Sequence, residues 1–197
     1  VQLCAIRKIE KNRISSAEEA IDKIIQKGTG NDPEVFNQAL RANGALKSEE
    51  AIDTLEKSTE DKNISTAASS LTALYIYCGI NGKKVAMGKL RTLLAEDSTE
   101  AILTALSCIE EIRTNLYEKE ICDLFKHENP EISNNAIKIT GILKSSKAIP
   151  LIIDQLEVKA NRSSAFTALV KIGDQAVSYI SRKLASPTLA HETSMIL

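Results

Sequence analysis

The sequence predicts an all-α protein, a solenoid of about six helical hairpins followed by a trailing half-repeat, and three observations carry that expectation. Apolar residues recur at three- and four-residue spacing, as in Leu71, Leu74, Tyr75 and Cys78, or Ile149, Ile152, Ile153 and Leu156. That spacing lines one face of a helix and does not fit a strand. A long stretch also repeats itself 97 residues later without a gap. Asp32-Pro33-Glu34-Val35, Ala39, Gly44, Leu46-Lys47-Ser48 and Ala51-Ile52 lie over Asn129-Pro130-Glu131-Ile132, Ala136, Gly141, Leu143-Lys144-Ser145 and Ala148-Ile149. A second match, Glu18-Glu19-Ala20-Ile21-Asp22 over Glu49-Glu50-Ala51-Ile52-Asp53, is offset by 31, about a third of 97, and sets the repeat unit.

Residues 1–9 already read as helix. Ser16 stands three before Glu19, and Asp97 three before Glu100, the spacing of a capping box or its Asp variant. Asp32 before Pro33, Asn129 before Pro130 and Ser186 before Pro187 place a capping side chain ahead of a proline at the first helical position. Gly44 and Gly141 fall late in their first helices, where glycine costs about 1 kcal/mol relative to alanine, so close helix approach at the hairpin is expected there. Gly28-Thr29-Gly30-Asn31-Asp32 and Gly79-Ile80-Asn81-Gly82-Lys83-Lys84 read as turns between helices; neither completes a phosphate-binding loop. The frame predicts burial of Ala39, Ala68, Ala105, Ala136 and Ala165 in first helices, and of Ile21, Ile52 and Ile149 in second helices. The trailing half-repeat is read at 187–197.

A single hairpin has one apolar stripe per helix and cannot bury it alone, so neighbours must stack. From Asn129 to Leu156, and from Arg162-Ser163-Ser164-Ala165-Phe166-Thr167-Ala168-Leu169 to Leu184, the chain resembles the HEAT family. Ala165 to Gly173 followed by Asp174, Ala176 and Val177 is similar to the short bacterial HEAT-like repeat, including its variant in bilin lyases. The resemblance covers nearly all of residues 1–197 and implies one array with the fold of a right-handed αα superhelix. The chain opens with Val1 in helix and stops at Leu197 without a stop signal, so it is read as a fragment of a longer polypeptide. The Arg often found early in such repeats occurs only at Arg162, with Phe36 and Ser133 at the matching places, and the turn Asp is clear only at Asp174. These departures argue against a polar ladder between repeats.

Function is narrowed mainly by elimination. With 25 basic and 26 acidic residues, no Trp, 4% aromatics and a pI near 6.2, the chain lacks the basic, aromatic surface of a nucleic-acid binder. Cys4, Cys78, Cys108 and Cys122 form no C-x-x-C pair and read as small buried hydrophobes in a reducing compartment, so a cytoplasmic location is expected. His127 and His191 have no ligand partner at metal spacing and read as surface or helix-end residues. No residue set reads as catalytic, cofactor-binding or metal-binding, and no segment is long and apolar enough to insert in a membrane. The function expected is a non-catalytic, monomeric scaffold or adaptor presenting its repeat surface to a protein or peptide. The alternative is a regulatory cytosolic array appended to a larger protein, such as a bacterial nucleotide transporter of the membrane; bilin-lyase-like or DNA-glycosylase-like enzymes rank lower. Candidate protein-binding residues are Glu18, Glu19, Asp22, Glu49, Glu50, Asp53 and Glu56, expected to form a stacked acidic stripe for a basic segment of the partner. In that reading Ala20, Ile21 and Ile24 face the core, with Glu19 and Asp22 outside and Glu50 and Asp53 at the same places one repeat later.

Overall fold

A computed structural model describes residues 2–30 and 32–184, and the half-repeat expected at 187–197, with its Ser186 cap and His191, lies outside them. Every regular element among the described residues is helical. In chain order these are α1 (Gln2–Asn12), α2 (Glu18–Lys27), α3 (Pro33–Lys47), α4 (Ile52–Ser58), α5 (Ile64–Tyr77) and α6 (Gly79–Leu94). There follow α7 (Thr99–Ile112), α8 (Glu118–Asp123), α9 (Pro130–Ile142), α10 (Ile149–Asp154), α11 (Arg162–Ile172) and α12 (Asp174–Leu184). The described residues gather into two compact units, divided between Ile112 and Arg113.

The odd-numbered helices all stop the same way. At or just beyond their last turns stand Arg13, Ser48, Gly79, Arg113, Lys144 and Gly173, each with φ between 49° and 74°. Left-handed backbone turns the chain sharply and brings the following N–H groups back onto the last free carbonyls. It costs a non-glycine residue about 1–2 kcal/mol. Four of the six positions bear that cost, so the turn recurs independently of glycine. The intervals between these residues run from 29 to 35, bracketing the 31 read from the sequence.

Packing within each unit follows chain order. In the first, α3 lies between α1 and α5, and α5 packs on α7, while α2 and α4 pack on the first helices that come after them, α3 and α5, and α6 packs on α5 as well as on α7. Its N-terminal core joins Ile6, Ile21, Val35, Ala39 and Ala42, with Leu3, Ile9, Ile24, Ile25 and Leu46 against them. In the second unit α9 packs on α11, α8 on α9, and α10 and α12 on α11. A first helix flanked on both sides is buried nearly all round, as α3 is from Val35 to Leu40. The α11 helix differs. Leu40, Leu106 and Ile137, each directly after a frame alanine, are at most 1% exposed, whereas Phe166 at that place is 61% exposed. Val170 and Val177 are exposed beside it in sequence register.

The five frame alanines are buried, as are Ile21 and Ile149, but Ile52 is only half-buried. The reason is a slip of one turn. The 3-10 turn Ser48–Ala51 precedes α4, and Ala51 and Leu55 occupy its core positions at 0% exposure. Because α2 begins at Glu18 and α4 at Ile52, the true offset of these helices is 34, which aligns Ile21 with Leu55. Ala20 is exposed, and the apolar stripe of α2 is Ile21, Ile24 and Ile25.

Caps form as expected where a proline comes next: Asp32 accepts from the Val35 amide and Asn129 from the Glu131 amide. Ser16 does not cap, since α2 is preceded by the 3-10 turn Ser15–Ala17 and its cap position, Ala17, has no side-chain acceptor. Ser98, not Asp97, accepts from the Ala101 amide at the start of α7. Gly79 is a turn residue, but Ile80 to Lys84 continue as the opening of α6. Gly44 and Gly141 do mark close approach, chiefly to the next first helix rather than inside the hairpin. A Cβ on Gly44 would stand 3.3 Å from Ala73 of α5 and 3.3 Å from Leu55, and one on Gly141 only 2.5 Å from the Ala168 Cα of α11.

Candidate binding site

The acidic residues singled out by sequence pair differently from the expectation. Glu18, Glu19 and Asp22 are on α2, Glu49 and Glu50 in the turn before α4, and Asp53 and Glu56 on α4. With the offset of 34, Asp22 corresponds to Glu56 rather than to Asp53. Much of their charge is met at home. Lys47 bonds both oxygens of Asp22 at 2.9 and 2.8 Å and stands 3.5 Å from Glu18, and Lys23 bonds Glu19 at 2.7 Å. The Lys47 pKa is raised, first by its hydrogen bond to Asp22. Glu49 accepts from Asn81 at 3.3 Å, while Glu50 and Asp53 are exposed.

A second polar assembly, which the sequence did not announce, crosses the first helices of the same unit. Arg41 of α3 bonds Glu10 of α1 through Nε at 3.1 Å and Glu111 of α7 through Nη1. Glu10 also accepts from the Tyr77 hydroxyl at 2.7 Å and from the Gln38 amide. Thr72 donates to Glu111 at 3.2 Å. The side chains of Arg41 and Glu10 are 18% and 12% exposed, so this is a largely buried charge pair, stable only because its lone pairs and protons are used. Burial alone would lower the Arg41 pKa, and Glu111 and Glu10 more than offset it, leaving the guanidinium held protonated. Burial, then Glu10, pushes the Tyr77 hydroxyl up to about 12.

Beside this cluster opens a cleft of about 450 Å3. Arg7 and Glu10 of α1 form one side, Glu34, Asn37, Gln38 and Arg41 of α3 its length, and Ser65 and Ser69 of α5 the other side, with Glu111 at one end. Arg7 and Glu34 meet at 3.0 Å, both mostly exposed. Asn37 is 7% exposed and its Nδ2 donates to Ser65 Oγ at 3.0 Å, but its Oδ1 has no hydrogen-bond partner among the described residues. A buried acceptor left unmet costs about 1–3 kcal/mol. Asn43 Oδ1 and Thr66 Oγ1 share that condition away from the cleft.

The second unit bridges its first helices with neutral groups. Ser133 of α9 donates to Asn161 at 3.0 Å, and Asn161 donates to Gln155 at 2.7 Å and to the Phe125 carbonyl at 3.3 Å. Asn134, 97 residues after Asn37, accepts from Ser164 of α11 and donates to the Pro130 and Ala160 carbonyls. A polar ladder between neighbouring first helices therefore exists in each unit, contrary to the expectation from the missing repeat residues. Amides, hydroxyls and, in the first unit, charges build it in place of the repeated Arg and Asp.

Chemistry elsewhere is sparse. Cys78 and Cys108 are buried, and burial pushes their thiols up to about 11 and about 12, away from the reactive thiolate. Cys4 is exposed and Cys122 half-buried, so two of the four are not core residues. His127 comes directly after a short 3-10 turn and its Nδ1 accepts from the Asn129 amide. Among the described residues no helix is long and apolar enough to cross a membrane, and no three His, Cys, Asp or Glu side chains group at metal-binding distance. Searches of known protein families and of curated proteins find no match to this chain.

Proposed function

We propose that the chain is a HEAT-like right-handed superhelical array acting as a scaffold that binds a protein or peptide. The observation that carries this reading is the recurrent helix pair: a first helix ended by a left-handed residue, and a second helix packed against neighbouring first helices. Stacked units of this kind present extended surfaces rather than enclosed sites. The exposed Phe166, Val170 and Val177 add apolar contact area of the sort that partners cover. Free thiols at all four cysteines suit a reducing compartment, and the cytoplasm is the location we propose. Panning a display library of random short peptides against the purified chain tests the reading. Enrichment of a sequence whose synthetic peptide binds saturably is expected. Enrichment no greater than on an unrelated helical protein would contradict it.

A further inference from the structure

We infer that the cleft between α1, α3 and α5 receives a basic side chain of a bound peptide, with Glu34 and Asn37 as its anchors; this rests on the protein-binding reading above and gives it a chemistry and a place. The charge balance of the walls sets the sign. Three carboxylates, Glu10, Glu34 and Glu111, face two guanidiniums, Arg7 and Arg41. Arg41 is engaged by Glu10 and Glu111 together, so it is not available to an anion. Among the described residues Glu34 is held only by Arg7, through one oxygen, in an exposed pair. Such pairs are weak, and an incoming cation can take the place of Arg7 at little cost.

Hydrogen bonding points the same way. Asn37, which lines the cleft one turn along α3 from Glu34, has an unmet acceptor among the described residues, Oδ1. Its counterpart Asn134 uses both ends of its amide within the second unit, which shows that this frame position can be closed internally and that at Asn37 it is not. Asn37 Oδ1 is shielded from water, so a donor reaches it only by entering between the lining side chains. A guanidinium or ammonium has donors to spare for a carboxylate and an amide oxygen together. An apolar ligand would leave the acceptor unmet, and an anionic one would meet a surplus of negative charge.

The experiment is a backbone-amide NMR titration of the full chain with Nα-acetyl-arginine amide, its lysine counterpart and its uncharged citrulline counterpart. Saturable shifts confined to residues 34–38 and 65–69 are expected from the two cationic probes and not from citrulline. Glu34→Gln should abolish them. Arg7→Ala, which removes the competing cation, should tighten binding by up to about fivefold. Both substituted positions are exposed, and an unchanged melting curve confirms that each variant folds. No saturable shift with either cation, equal shifts with citrulline, or weaker binding by Arg7→Ala would each overturn the proposal. Peptides from the display experiment that bind Glu34→Gln as well as the parent would also overturn it while leaving the scaffold reading intact. Failure to enrich any peptide would instead count against the scaffold, and the arginine titration would still decide the cleft.

Discussion

Residues 32–52 and 129–149 carry one sequence pattern in two different units, and their comparison separates what a motif dictates from what its neighbours dictate. In both, a capped proline opens a first helix and a glycine comes late in it. Beyond the turn, Ala51 and Leu55 enter the core in one unit, and Ala148 and Ile152 in the other. The backbone obeys the motif. The contacts do not: a Cβ on Gly44 would find neighbours at 3.3 Å and one on Gly141 at only 2.5 Å, Asn134 is satisfied and Asn37 is not, and an Arg–Glu cluster joins the first helices around one segment where amides and hydroxyls join those around the other. Repeats share local geometry while the residues packed against them set the energetics.

The sharpest way to break the contrast between charged and neutral bridges is to remove the centre of each. Arg41→Ala leaves Glu10 nearly buried without its cation, which should cost about 3–5 kcal/mol. Asn161→Ala deprives the Ser133 hydroxyl, the Gln155 side chain and the Phe125 carbonyl of a neutral partner, and should cost about 1–3 kcal/mol. Hydrogen exchange of the α3 and α5 amides reports the first substitution, and of the α9 amides the second. Equal losses would mean that charge adds nothing to the bridges of the first unit.

The charged cluster also predicts a pH response. A tyrosine titrates ordinarily near 10, and Tyr77 is pushed to about 12 in the fold, chiefly by burial and then by Glu10, which accepts a hydrogen bond from its hydroxyl. A folded pKa above the unfolded one stabilises the fold fully below the unfolded value and loses that contribution as pH rises through the folded one. Stability should therefore fall as pH rises from about 10 to about 12, with a late tyrosinate absorbance step that Tyr77→Phe removes. The same decline in stability in Tyr77→Phe would assign the response to another group.

Helix period, the 97-residue repeat and the proline-linked caps were legible because each is local chemistry. The left-handed turn residues were not, since Arg13, Ser48, Arg113 and Lys144 are residue types with no preference for left-handed backbone. The second-helix register slipped for a related reason. An offset of 31 instead of 34 displaces a helix by three residues, close to the 3.6 of one turn, so the apolar stripe looks nearly unchanged while Ile52 replaces Leu55 in the core. The cleft was invisible for the opposite reason. Glu10, Arg41, Tyr77 and Glu111 are scattered over four helices, each reading as an ordinary polar-face residue, and only packing brings them together. The acidic candidates on α2 and α4 stood out in sequence because they are adjacent, yet adjacency did not reveal Lys47 on Asp22.

That one motif meets two different packing environments is tested most directly by a pair of alanine substitutions read as melting temperatures. A methyl at Gly141 must push into the α11 backbone, so Gly141→Ala should destabilise by about 1–3 kcal/mol. At Gly44 the neighbours are the Ala73 methyl and the end of the Leu55 side chain, both at 3.3 Å, and the Leu55 end can shift by a few tenths of an ångström. There the helix propensity of alanine, up to about 1 kcal/mol, offsets the crowding. Gly44→Ala should therefore melt at or slightly above the temperature of the parent and Gly141→Ala well below it. Equal losses at the two sites would contradict the account.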